Sequence, residues 1–399
     1  MDALSEPPPR RSLRDDVSGS AVAAGLLACF VGFGSTFAVI VRGLTAVGAS
    51  PDQAASGLLT VTVTMGLASL VLSYRTKLPI SIAWSTPGAA LLIGSSPAPG
   101  GFGGAVSAFI ICAFLLILAG QFRPLVRAVA AIPKPIASAM LAGVLLPLCL
   151  APVRAVATSP LLGLAIVLTW AIVTRINRLL AVPAAVLVAA GLIAATSDLS
   201  ALHGAALWPA VVFTTPVFSL ASVIGLAIPL FIVTMASQNI PGTAILNLNG
   251  YHPDASRVFS VTGIFSLLAA PFGSVAVNLA AITAAITSGP DAHPDPARRY
   301  CAVMVTGVGY MVIGLLAGAA TSFIAAAPPL LIEAVAGLAL LGAFGGALMG
   351  AVADPAEREA AIITFLVAAT GVSWFGIGGA FWGLVAGSGM HLLMKWRKG

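Results

Sequence analysis

The chain has 399 residues, of which 59% are hydrophobic and only 8% charged, and its mean hydropathy is +1.05. A soluble domain carries roughly a quarter charged residues, so this composition excludes one and points to a polytopic membrane protein. The net charge of +6 does not indicate nucleic acid, because the cations sit between apolar runs rather than on one basic face.

Residues 1–16 read as a polar tail carrying Arg10, Arg11 and Arg14. The apolar run after them is longer than a signal h-region, so no cleavable signal peptide is expected. A helix needs about 20 apolar residues to cross the hydrocarbon. Candidate spans lie near 18–41, 53–73, 79–96, 101–120, 135–153, 159–174 and 179–196. A polar, turn-rich connection, 197–216, separates them from 217–238, 255–271, 273–289, 300–323, 329–352, 357–374 and 377–394.

The cations test this reading. With a cytoplasmic N-terminus and fourteen crossings, 17 of the 19 Lys and Arg fall inside and only Arg42 and Arg154 fall outside. If 79–96 and 273–289 did not cross, Arg123, Arg127, Lys134, Arg175, Arg178 and Arg257 would move outward and Arg154 inward. The split would then be 12 to 7. The positive-inside bias therefore requires both segments to traverse and puts both termini in the cytoplasm. The expected fold is an all-α polytopic membrane protein of 14 transmembrane segments, built as two inverted seven-span repeats over 17–196 and 217–399. The site belongs near mid-membrane, where the third spans of the two halves meet.

Those two spans are interrupted. In SIAWSTPGAALLIG, 81–94, the polar run Ser85, Thr86, Pro87 and Gly88 sits in an otherwise apolar stretch. A continuous helix through Pro87 is disfavoured. An extended piece followed by a helix from Pro87 is expected, since proline suits the first helical position. In PFGSVAVNLAAITAAITSGP, 271–290, the run from Ser274 through Ala276 and Val277 reads as extended, and Asn278 is expected to cap the Ala-rich half-helix after it. At membrane depth such breaks are tolerated only in protein or beside a cavity. Their free N–H groups would face an anion.

Few groups in the spans ionise. Only Glu333 lies inside an apolar run, and an intramembrane acid is a functional candidate by default. The four cysteines are scattered and the four histidines dispersed, so no metal or cofactor is expected. No nucleophile–base constellation stands out, so an enzyme is not expected. The remaining candidates are neutral. Ser35 and Thr36 lie beside Phe33 and Phe37, Trp84 precedes the first break, and Thr234 and Gln238 fall one helical turn apart on one face. Helix ends, amides, hydroxyls and aromatic walls without fixed negative charge suit a small planar monoanion, such as an aromatic carboxylate.

The segments AWSTPGAALL, VTMASQNIPG and NLAAITAAI, in this order and separation, resemble the benzoate transporter family of bacteria, commonly called benzoate:proton symporters. The resemblance covers nearly all of the hydrophobic chain. It implies a seven-plus-seven fold shared distantly with nucleobase and sulfate/bicarbonate carriers, located in the bacterial inner membrane. Spans 1–4 and 8–11 would form a core domain and spans 5–7 and 12–14 a gate domain. The family works by an elevator-like movement, commonly as a homodimer, so the implied partners are an aromatic carboxylate, protons and the lipid bilayer. Nucleobase carriers hold acids at the positions of Gln238 and Val277, and their loss here suits an anionic substrate. It also removes the obvious proton carriers. The proton then travels on the substrate or through Glu333. A nucleobase or inorganic anion carrier of the same fold, or an uncoupled anion channel, are the alternatives.

Overall fold

The computed structural model describes residues 16–34, 36–95, 100–122, 124, 132–196, 208–374 and 377–396. The tail 1–15, Ser35, Arg123, Arg127 and most of the 197–216 connection lie outside the described residues. The chain is a mostly helical polytopic membrane protein. Among the described residues, seven helices are long and apolar enough to cross a bilayer, or eight if one bent pair counts as a span.

The first span, Gly19–Ala46, comprises α1 (Gly19–Gly34) and α2 (Phe37–Ala46). Next come α3 (Pro51–Thr76), the strand β1 (Ile82–Trp84) and the short α4 (Thr86–Ile93). The chain continues through α5 (Phe102–Gln121), α6 (Lys134–Cys149), α7 (Ala151–Thr158), α8 (Pro160–Ile176) and α9 (Ala181–Thr196). The second part begins with α10 (Leu220–Leu248), then α11 (Ala255–Ala269), the strand β2 (Val277–Leu279) and the eight-residue α12 (Ala281–Ser288). It ends with α13 (Tyr300–Gly314), α14 (Ala317–Ala326), α15 (Pro329–Val352), α16 (Arg358–Ala369), a two-residue hairpin pair and α17 (Gly379–Trp396). The sequence reads 300–323 as one span, but the chain bends by 58° between α13 and α14.

Local chemistry explains several boundaries. Ser50 and Gln53 form a reciprocal capping box before Pro51, which starts α3, and Lys77 closes it in the left-handed conformation at φ 56°. Within α10, two π turns, Val223–Ala227 and Met235–Asn239, each end two residues before a proline. The rings of Pro229 and Pro241 would meet the carbonyls of Gly225 and Ser237, four residues back. A wider turn moves those carbonyls away.

The helices pack in two groups. In one, α3 and α1 pack on α13, α11 on α5, and α12 on α1 and α10; in the other, α15 and α16 pack on α6, and α8 on α9. They meet where α4 and α10 reach α6. Leu161, Leu164, Leu168 and Ile172 of α8 are exposed, as residues turned to lipid are.

In lipid, helices associate through small residues that let backbones approach. Gly66 of α3 faces Gly307 of α13, and a Cβ on Gly307 would come within 2.8 Å of the Gly66 carbonyl oxygen. Replacing Gly307 by Leu is therefore expected to wedge the pair apart and remove about 1–3 kcal/mol of stability. A clear fall in the thermal unfolding midpoint of the detergent-purified variant checks this; an unchanged midpoint contradicts the close packing.

Candidate functional site

The two interrupted segments meet. β1 and β2 run antiparallel, pairing Ile82 with Leu279, Ala83 with Asn278 and Trp84 with Val277. Two strands of three residues leave many backbone groups without a ladder partner, and neighbouring side chains supply what is missing. Ser69 of α3 accepts from the Ile82 N–H at 3.0 Å, and Ser266 of α11 accepts from the Val277 N–H at 2.9 Å. Asn239 of α10 accepts from the Leu279 N–H at 3.0 Å. The Ala280 N–H donates to the Ser81 carbonyl at 3.0 Å.

Asn278 does not cap a helix. It lies within β2, and its neighbours orient the amide to accept from the Ser85 N–H at 3.1 Å and donate to the Leu279 carbonyl at 3.0 Å. The following helix starts two residues later than the sequence suggests, with Ala280 rather than Asn278 at the cap position, because β pairing holds 277–279 extended. Its first N–H, on Ala281, donates to the Gln238 Oε1 at 3.4 Å. Nor does the first half-helix start at Pro87. It begins at Thr86, because Ser85 accepts from the Gly88 N–H at 3.0 Å and fixes the turn one residue earlier. The two helix tips are thus unequal: α4 is capped by its own Ser85, whereas α12 depends on α10.

A cup of about 50 Å³ lies against the α12 tip, lined by Val31, Gly32, Thr36, Ala83, Trp84, Thr86, Gln238 and Ala280–Thr283. None of these residues ionises. The Trp84 indole N–H donates to the Thr36 hydroxyl at 2.9 Å, which in turn donates to the Gly32 carbonyl at 3.1 Å. Thr36 therefore orients the indole. The donors left for a guest are the first-turn N–H groups of α12 after Ala281, which have no intrahelical acceptor, the Gln238 NH₂ and the Thr86 hydroxyl. Ala281 and Ile282 also border a larger cavity of about 850 Å³, whose walls include Ala23, Ala24, Leu27, Ile245, Ala285 and Ile286. A small polar cup thus adjoins a roomy, mostly apolar vestibule, whose lining also includes Ser20 and Asp291.

The remaining sequence candidates are distributed around this cup. Ser85, Gly88, Thr234 and Ala276 line a separate, smaller void on the Phe109 and Cys112 side. Thr234 and Gln238 thus border different voids, with the π turn Met235–Asn239 between them. Pro87, Val277 and Asn278 are buried in the crossing. Phe37 stacks on Phe33 with centroids 5.3 Å apart, and Phe33 meets Trp84 at 5.6 Å, so the two phenylalanines brace the indole from behind. Glu333 lines neither cavity. It pairs with Arg42 of α2, and both side chains are half-buried. Gly32 and Ala281–Thr283 escaped sequence reasoning. Ala280 carries no capping side chain, so nothing local marks the tip of α12.

Comparison with known proteins is consistent with this architecture. The family described as benzoate membrane transport protein (BenE) matches residues 15–393. The chain is 37% identical over 377 residues to inner membrane protein YdcO of Escherichia coli, covering 93% of this chain and 95% of that one. It is 31% identical over 380 residues to the benzoate membrane transport protein of Acinetobacter baylyi, covering 94% and 95%. The transmembrane domain of a cyanobacterium bicarbonate transporter, BicA, shares the fold at TM-score 0.58 and 14% identity, over 93% of this chain and 97% of that one. The murine Slc26a9 anion transporter in its inward-facing state does so at TM-score 0.59 and 12% identity, over 95% and 68%.

The crossing yields a test. Ser266→Ala leaves the buried Val277 N–H without its acceptor, a loss of about 1–3 kcal/mol. The variant's unfolding midpoint is expected to drop, and an unchanged value means the crossing does not need this support.

Proposed function

The chain belongs to the benzoate membrane transport protein family, and on that footing we propose that it imports benzoate or a similar small aromatic carboxylate, coupled to protons. The carrying observation is the junction of an acid-free polar cup with a mostly apolar vestibule. The carboxylate seats against the α12 tip and the Gln238 amide, where partial positive charge favours an anion. The ring lies along Trp84 and extends into the vestibule, where apolar contact and aromatic packing hold it. With no carboxylate in the cup, the proton travels on the substrate as its neutral acid. Glu333, paired with Arg42 away from the cup, is the less favoured carrier.

The movement is of elevator type. Helices α1–α5 and α10–α14 form the core, and α6–α9 and α15–α17 the gate, in keeping with the two packing groups. The fourteen-span, inverted-repeat reading gains support from the crossing itself. A local two-fold through the β1–β2 pair relates Ile82 to Val277, whose N–H groups are met by Ser69 and Ser266 on the second span of each half. By the distribution of Lys and Arg, both termini lie in the cytoplasm of a bacterium and the vestibule opens inward.

Proteoliposomes under an inward proton gradient are expected to accumulate labelled benzoate above the level in protein-free vesicles. Equilibration without accumulation would indicate an uncoupled facilitator, and no uptake would remove the substrate assignment. Gln238→Glu is expected to keep the fold, since a carboxylate also accepts from the Ala281 N–H at a helix start. It should nevertheless cut benzoate uptake at least ten-fold, because like charges repel strongly in a water-poor cup. Normal uptake by that variant would place the carboxylate elsewhere.

A further inference from the structure

Behind the cup, Tyr310 of α13 is fully buried, and its hydroxyl has no hydrogen-bond partner among the described residues. Buried polar groups are almost always paired, so an orphan calls for a reason. Its position supplies one. Gly32 lines the cup, and the Tyr310 hydroxyl occupies the space that a side chain at Gly32 would fill, so a Cβ there would collide with it. The same Cβ would stand 3.2 Å from the Tyr310 Cζ and 3.0 Å from the Thr283 Cγ2. Thr283, another cup residue, commits its hydroxyl to that of Ser81 at 2.8 Å. The absent side chain at Gly32 therefore lets the Tyr310 ring end directly behind the cup wall, beside Gly32 and Thr283, with its hydroxyl buried and unbonded among the described residues.

We propose that Tyr310 is a substrate-binding residue whose hydroxyl donates a hydrogen bond to the anion in the cup through the gap at Gly32. The proposal deepens the reading of the cup as an anion site and rests on it. A phenol is well matched to this role, because it donates strongly to a carboxylate yet adds no charge that would oppose release. It also favours acceptors, so a ligand of the same shape presenting only an apolar edge would leave the hydroxyl unpaired and bind less well.

The test uses the purified full-length protein and Tyr310→Phe, with binding followed by titration and by ligand-induced thermal shift. Benzoate, bicarbonate, sulfate and uracil are the probes. Removing an unpaired buried hydroxyl should leave the ligand-free melting midpoint equal to or above wild type, which separates binding from folding. Affinity for the anion that the wild type binds should fall about ten-fold, the usual scale for a hydrogen bond to a charged group. If Tyr310→Phe binds that anion as the wild type does, the hydroxyl has no part in the site. A fall in the ligand-free midpoint would overturn the proposal as well, since it would show the hydroxyl to be paired within the fold. If the wild type binds bicarbonate or sulfate but not benzoate, the aromatic substrate reading fails, while a ten-fold loss for that anion in Tyr310→Phe upholds the tyrosine. Binding of no probe anion by the wild type overturns both.

Discussion

The structure depends on one constraint: a backbone broken in the middle of a bilayer must find every hydrogen bond inside the protein. β1 and β2 meet part of that need by pairing with each other, but six paired residues cannot meet all of it. Ser69, Ser266, Asn239 and Gln238 supply the rest from three different helices. Each is a polar group in an apolar helix, where it would be a liability alone. Together they turn two interruptions into a rigid crossing, and the cup is what remains beside it.

That origin explains the chemistry of the cup. The groups supporting the crossing are hydroxyls and amides, which satisfy backbone without bringing charge to membrane depth. The positive character at the cup therefore comes from helix geometry, namely the first turn of α12, of which Gln238 takes only the Ala281 N–H, rather than from lysine or arginine. An anion held this way meets no counter-ion from which it must be torn. The aromatic side follows the same economy, since Phe37 stacks on Phe33, Phe33 meets Trp84 at a tilt, and the Thr36 hydroxyl fixes the indole by its N–H.

The sequence makes the breaks themselves legible. Pro87 among Ser85, Thr86 and Gly88, and the extended-looking run before Asn278, can hardly lie in continuous transmembrane rods. What it hides is whatever depends on a distant partner. The register of β1 on β2 is set between residues nearly two hundred positions apart, and three-residue strands have no periodicity to read. Asn278 looks like a cap because caps are usually local, yet β pairing takes it and Gln238 serves instead. The widened turn of α10 between Thr234 and Gln238 has a visible trace: Pro241 stands four residues after Ser237, and the helix widens to accommodate it.

Gln238 has a broader consequence. It reaches 43 residues along the chain to define where α12 begins, and it does so from a turn whose geometry is set by Pro241. The cup is thus jointly owned by two helices. A twist of α10 about its own axis would pull on the tip of α12 through that contact, as a linkage does in a machine, so the shape of the cup and the posture of α10 would change together.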